Sequence, residues 1–316
     1  MGHSMKRFCG LFWVIGLILC CVGCRSAEPV VVALTAVPEP SRTPVPVVPT
    51  ETAVVVPTVS PEPSAEPTVI PEPTAIEPMV VEVRYLRPEI VATYPHDTSA
   101  FTQGLVWYEG GFYESTGLRG ESSLRRVNLD GTVVQFAPVD AAYFAEGLAL
   151  MGDQLIQLTW QSQVAFVYDQ DNFTQVGSFF YSGEGWGLCY SEETGTLWMS
   201  DGSSTITERE ADTFQPLNRI DVLLNGTPVS RLNELECVGG DIYANVWQTD
   251  QIMQIDRKTG SVTAVIDAQD LLTPEERASL TSNDVLNGIA YDSDQDLFYI
   301  TGKRWPKLFA VDFVSP

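Results

Sequence analysis

Five internal repeats, short β-type runs broken by Gly, Asp and Asn, and almost no helical period predict an all-β domain over residues 80–316, arranged as a five-bladed β-propeller. The repeats begin at Gln103-Gly104-Leu105, Glu146-Gly147-Leu148, Trp186-Gly187-Leu188, Asn233-Glu234-Leu235 and Asn287-Gly288-Ile289, so successive spacings are 43, 40, 47 and 54 residues. Each spacing is the length of one four-stranded sheet. Every repeat opens on a polar or indole residue, a small or acidic residue and an aliphatic. A turn and a second strand follow, read as GGFYESTG, DQLIQLTW, GTLWMSDG, GDIYANVW and DLFYITGK. The last repeat has room for about three strands before Pro316, and residues 80–95 stand ready to supply the fourth, which closes the ring between the two termini. A β-sandwich with accidental repetition is the other reading of the same runs. One short helix is expected in LTPEERASL, residues 272–280, with Thr273 as cap, Pro274 at the first position and Glu276 three residues after the cap.

Two segments precede this domain. Residues 1–24 carry Lys6 and Arg7 ahead of the apolar run FCGLFWVIGLILCCVGC, the pattern of a secretory signal. The run ends in Cys21-Val22-Gly23-Cys24, which resembles a bacterial lipobox with Cys24 as the lipidated residue, although Cys21 stands where Leu is usual. Plain secretion and an uncleaved anchor are the alternatives. Residues 25–79 hold 13 of the 21 prolines and no glycine or aromatic residue. Such a segment has nothing to build a core from, and it is expected to be a disordered tether. The expected location is therefore extracytoplasmic, either lipid-anchored at the membrane or secreted, and a monomer is expected.

The formal net charge of -23 argues against nucleic acid as a partner, because an acidic surface repels phosphate. The two histidines, His3 and His96, are too few for a His-rich zinc enzyme. Four of the six cysteines lie in the leader; the remaining two, Cys189 and Cys237, either pair or stay as buried thiols.

The repeat register also locates a site. Gln103, Glu146, Trp186, Asn233 and Asn287 occupy equivalent first-strand positions and should ring one mouth of the central channel. A second ring, 14–16 residues later, holds Gly117, Trp160, Gly202, Trp247 and Lys303. One carboxylate, one lysine, several amides and three tryptophans converging on one mouth suit a small polar ligand better than a purely structural channel. Taken singly, each tryptophan reads as core and Glu146 with Lys303 as an ion pair; only the shared register raises them together.

These residues lie in YPHDTSAFTQGL, YESTGLRGESSLRRV, FAEGLAL, QLTWQ, GEGWGL, MSDG, RLNELE, YANVWQTD, VLNGIAYD and TGKRWPKLF. In this order the motifs resemble the glutamine cyclotransferase family of plants and bacteria, over residues 90–312. The resemblance implies a five-bladed propeller enzyme that cyclises the N-terminal glutamine of peptides and proteins to pyroglutamate with release of ammonia. It implies Glu146 as acid/base, Asn233 and Lys303 as groups that hold and polarise the amide, Gln103 as a substrate-contacting amide, and Trp160, Trp186 and Trp247 as the pocket wall. No metal is expected in catalysis, though acidic and amide oxygens leave room for a structural calcium in the channel. Two rival readings are a non-catalytic propeller that binds proteins at the cell envelope and a calcium-dependent lactonase-like propeller. The second needs several converging carboxylates, whereas Glu146 is the single one at the ring positions.

Overall fold

The computed structural model describes residues 82–316. The expected leader, Cys24 and the whole Pro-rich tether lie outside the described residues. The described chain is all-β apart from one short helix. It opens on a long strand, β1 (Arg84–Pro95). Four antiparallel strands follow, β2 (Thr102–Tyr108), β3 (Gly111–Thr116), β4 (Ser123–Asn128) and β5 (Val133–Pro138). The second unit is β6 (Ala145–Met151), β7 (Gln154–Thr159), β8 (Val164–Asp169) and β9 (Gln175–Phe180). The third is β10 (Leu188–Ser191), β11 (Thr196–Ser200), β12 (Thr205–Glu210) and β13 (Pro216–Asp221). A small hairpin, β14 (Leu223–Leu224) and β15 (Thr227–Pro228), leads into the fourth unit of β16 (Leu232–Val238), β17 (Asp241–Val246), β18 (Gln251–Asp256) and β19 (Val262–Asp267). Helix α1 (Pro274–Ala278) precedes β20 (Leu286–Asp292), β21 (Leu297–Gly302) and β22 (Lys307–Val314). The helix starts where the sequence places it, with a reciprocal capping box between Thr273 and Glu276 and Pro274 in its first turn.

The last three strands take β1 as their fourth, antiparallel to β22 from Arg87 to Pro95. At its other end β1 runs parallel to β19 through Arg84–Leu86. Two units thereby fuse into one eight-stranded sheet, in the order β16-β17-β18-β19-β1-β22-β21-β20. The pairing with β22 was expected; the added pairing with β19 was not. It follows from the length of β1, whose 12 residues overrun what one partner covers. Its consequence is visible in burial. The outer strands β5, β9 and β13 are mostly exposed, whereas β19 is mostly buried.

Five apolar clusters hold the units together, and each joins two neighbours. Leu105 and Phe112 pack with Tyr299 and Ala310 between the first unit and the last. Tyr113 and Leu124 meet Leu148 and Leu155, and Ile156 and Leu158 meet Leu188, Leu197 and Phe214. Trp198 and Ile206 meet Leu235 and Ile242, while Ile252 and Ile266 meet Ile289 and Ile300. Each sheet therefore buries both faces, which is why the inner strands read as near-continuous apolar runs. The first strands β2, β6, β10, β16 and β20 contact one another in that order, and β20 returns to β2. Their approach is close: a Cβ on Gly147 or Gly187 would strike the backbone of the following first strand, at Leu188 or Asn233. Cys189 and Cys237, on the adjacent strands β10 and β16, are joined as a disulfide with Cα atoms 5.5 Å apart, which settles their pairing.

Candidate active site

The first strands lose regular pairing at the same place. Ladder register shifts between Thr102 and Gly104, Ala145 and Leu148, Leu232 and Leu235, and Leu286 and Ile289. The residues skipped include Gln103, Glu146, Asn233 and Asn287. A bulge frees a residue from the ladder and re-aims its side chain, and here it does so at the repeat position singled out by sequence. The second ring follows the ends of the second strands: Trp160 directly after β7, Trp247 after β17 and Lys303 after β21.

These elements enclose a cavity of about 440 Å³. Its wall includes Gln103, Glu146, Trp160, Trp186, Asn233, Trp247 and Lys303, all seven pocket residues expected from sequence. Asn287 does not line it. Its Nδ2 donates to Thr102 O at 3.0 Å and to Gln103 Oε1 at 3.3 Å, which braces Gln103 from behind. Gly202 is small for a steric reason, since a Cβ there would enter the Trp186 ring.

Glu146 and Lys303 are 5% and 3% exposed, yet they form no direct ion pair within 4 Å, so a small molecule can reach both. Burial drives the Glu146 carboxyl well above its usual range; the Lys303 charge opposes this and the Glu184 charge adds to it. Burial pushes Lys303 down to about 8, against the supporting charge of Glu146. Gln103 Nε2 donates to Glu146 Oε1 at 3.1 Å. The Lys303 ammonium sits 5.0 Å from the centre of the Phe101 ring. Asn233 is buried, and its Oδ1 has no hydrogen-bond partner among the described residues. A buried orphaned acceptor beside an acid and a base is a vacant contact for an N–H group.

The indoles form one wall. Trp186 and Trp247 meet edge to face at 5.6 Å, Phe144 and Trp160 at 5.7 Å, and Phe101 and Phe144 at 6.3 Å. Sequence reasoning missed Phe101, Phe144, Leu118 and Asn283, which complete the lining. It also missed Glu184, which accepts from the Nε1 groups of Trp160 and Trp186. Phe101, Phe144 and Glu184 all stood inside the motifs SAFTQGL, FAEGL and GEGWGL, so a signal was present without a means of assigning it.

Lys303 is held by its own supports. Its N–H donates to Val285 O and the Arg304 N–H to Ala100 O. His96 Nδ1 donates to Trp305 O at 2.7 Å, and its Nε2 meets Glu114 Oε1 at 3.1 Å, with Thr102 Oγ1 donating to the same oxygen at 2.7 Å. Burial alone would lower His96, but the Glu114 hydrogen bond and charge carry it above its ordinary value. Burial likewise opposes ionisation of Glu114, and His96 holds it below the usual carboxylate range. Among the described residues no three Asp, Glu, His or Cys side chains gather as a metal centre requires. The central pair Glu234 and Glu236 is engaged by backbone N–H groups of Ile289 and Tyr291.

An all-β domain that buries an unpaired acid and a depressed lysine beneath an indole wall is the framework of an enzyme that moves protons on a small polar group. A sequence model of the glutamine cyclotransferase family matches residues 65–313. A glutaminyl-peptide cyclotransferase of Arabidopsis thaliana is 42% identical over 231 residues, covering 71% of this chain and 70% of the relative. The crystal structure of Myxococcus xanthus glutaminyl cyclase is 41% identical and superposes with a TM-score of 0.69, covering 73% of this chain and 98% of that one. The chain belongs to the glutamine cyclotransferase family.

Proposed function

We propose that the chain is a glutaminyl-peptide cyclotransferase, an acyltransferase that converts the N-terminal glutamine of peptides and proteins to pyroglutamate and releases ammonia. In this reading the α-amine attacks the side-chain amide carbon of the same residue. A C–N bond forms, a proton leaves the amine, the bond to the amide nitrogen breaks, and that nitrogen departs with an added proton. Glu146 takes the first proton and returns it to the leaving nitrogen, a task suited to a carboxyl that burial pushes well above its usual range so that it can hold a proton. Lys303 and the Asn233 amide stabilise the oxyanion of the tetrahedral intermediate. Gln103 holds Glu146 and contacts the substrate amide. Trp160, Trp186 and Trp247 exclude water and favour the folded-back glutamine. The single observation that carries this assignment is the buried, unpaired Glu146–Lys303 couple facing one cavity. The test is ammonia release from a Gln-leading dipeptide by the purified chain; no release sinks the assignment. With acid, lysine and indoles all in place, the binding-only alternative has no observation in its favour.

We read the architecture as a five-bladed propeller in residues 80–316. Its support is the cyclic contact of the first strands and the five inter-unit clusters. Catalysis in this reading runs without a metal, and the acidic and amide oxygens of the channel leave room for a structural calcium. Activity is therefore expected to persist in excess chelator; a loss restored by added metal overturns this. Residues 1–24 and 25–79 support a lipid anchor at Cys24 with a tether that holds a monomeric enzyme outside the cytoplasm. Radiolabelled palmitate incorporation that disappears in Cys24→Ser tests the anchor.

A further inference from the structure

We propose that Glu184 is a positioning residue, one carboxylate that sets the orientation of the Trp160 and Trp186 indoles together. Its Oε2 accepts from Trp160 Nε1 at 2.7 Å and from Trp186 Nε1 at 2.9 Å. Its Oε1 accepts from Gln161 Nε2 at 2.8 Å. Trp160 follows β7 within the second unit and Trp186 leads into β10 of the third, so a single side chain ties the pocket walls of two units.

The backbone that carries Glu184 is pinned to both. Gly185 N–H donates to Trp160 O at 2.9 Å, and Trp186 N–H donates to Ser200 O at 3.0 Å. A Cβ at Gly185 would collide with the Tyr181 hydroxyl, so the loop comes this close only with glycine. No Lys or Arg pairs with Glu184 among the described residues. Burial is the largest single influence on its carboxyl and opposes ionisation, but the hydrogen bonds from Gln161, Trp186 and Trp160 together hold it below the usual range.

An indole has one donor and no acceptor. Both Nε1–H groups are taken up by Glu184, which leaves the two tryptophans to offer the substrate ring faces and edges rather than hydrogen bonds. Orientation then matters more than donor chemistry. Trp186 passes its orientation to Trp247 through their edge-to-face contact, and Trp160 meets Phe144 in the same way. Glu184 therefore governs four aromatic walls without touching the reacting atoms.

The effect on turnover rests on the cyclisation reading; the effect on the indoles does not. The test uses the full chain with 15N-labelled tryptophan. In wild type, two indole N–H resonances are expected to titrate together with one carboxylate. Both are expected to shift in Glu184→Ala, and both to return toward wild-type positions in Glu184→Gln, whose amide oxygen still accepts. The kcat/KM for a Gln-leading dipeptide is expected to fall about 10- to 100-fold in Glu184→Ala, the scale of an ångström-level misplacement, and to recover largely in Glu184→Gln. Glu184→Asp keeps the charge but shortens the reach, and it is expected to lose the paired shifts even if Glu184→Ala fails to fold. Unmoved indole resonances in Glu184→Ala or Glu184→Asp, or unchanged kcat/KM with intact folding, overturn the inference. Absence of cyclisation in the wild type overturns the functional reading instead, because the resonances still report on Glu184.

Discussion

Replacing Glu146 by Gln separates the chemistry of this carboxyl from its packing. Gln has nearly the same volume and retains an oxygen for Gln103 Nε2, which donates at 3.1 Å in the wild type. The proton carrier is lost. General acid/base transfer accounts for about 10²- to 10⁴-fold in rate, or roughly 3–5 kcal/mol of barrier. Stability should move the other way. Burial, opposed by Lys303 and reinforced by Glu184, raises the Glu146 pKa well above 4.5, so the folded state disfavours the anion. A group with a raised folded pKa contributes stability below its unfolded pKa and loses it as pH rises through the folded value. Gln never ionises and keeps that stability at neutral pH. Lys303, deprived of its supporting anion, falls further below about 8 and is neutral over more of the range. The expected result is cyclisation reduced by at least about 10²-fold with Tm unchanged or raised. Ammonia release coupled to glutamate dehydrogenase reads the first quantity, and thermal unfolding monitored by circular dichroism at pH 7.5 reads the second. Wild-type-like turnover, or a Tm loss of several degrees, refutes the reasoning.

Lys303→Met is expected to lose about 10²- to 10³-fold in kcat by removing an oxyanion donor. In the wild type the rate should fall as pH rises through about 8, where Lys303 loses its proton, and the pH profile of Lys303→Met should lack that limb. His96→Gln strands the buried Glu114 with its Thr102 hydrogen bond and the more distant Arg125 charge, and it is expected to cost about 3–5 kcal/mol in denaturant unfolding. The wild-type pair stabilises between two limits. Its Glu114 part is lost as pH falls through the lowered folded pKa, and its His96 part as pH rises through the raised one; a flat stability profile across both limits counts against the pair. Replacing both Cys189 and Cys237 by Ser is expected to cost about 4 kcal/mol, the loop-closure value for a sequence separation of 48, with kcat/KM retained because the bridge is not in the pocket wall.

Much of the site is legible in the sequence. Glu146 and Lys303 are 157 residues apart in sequence, yet the repeat register puts one at the start of a first strand and the other at the end of a second. Once those strands are hairpins in a ring, both face one mouth. Period and spacing carry that information because every unit repeats the same local geometry. Glu184 was not legible in this way. It lies two residues before a ring position, in a loop whose path is set by glycines and by contacts with Trp160 O and Tyr181. Many surface loops here carry carboxylates, and periodicity does not say which one turns inward.

The sequence by itself determined the all-β class, the five repeats, the capped helix at Thr273, the strand before the first repeat that completes the last sheet, and two rings of positions from which the family resemblance singles out the seven residues that meet in the pocket. Hydrophobic period, turn chemistry and repeat length are local properties, and local properties are written along the chain. Tertiary structure alone decided that β1 also pairs with β19, that Cys189 and Cys237 bond, that Glu146 and Lys303 stay apart while burial shifts both toward neutral pH, and that Glu184 bridges two indoles. These depend on distance and desolvation between segments far apart in sequence, and neither quantity exists until the chain has closed on itself.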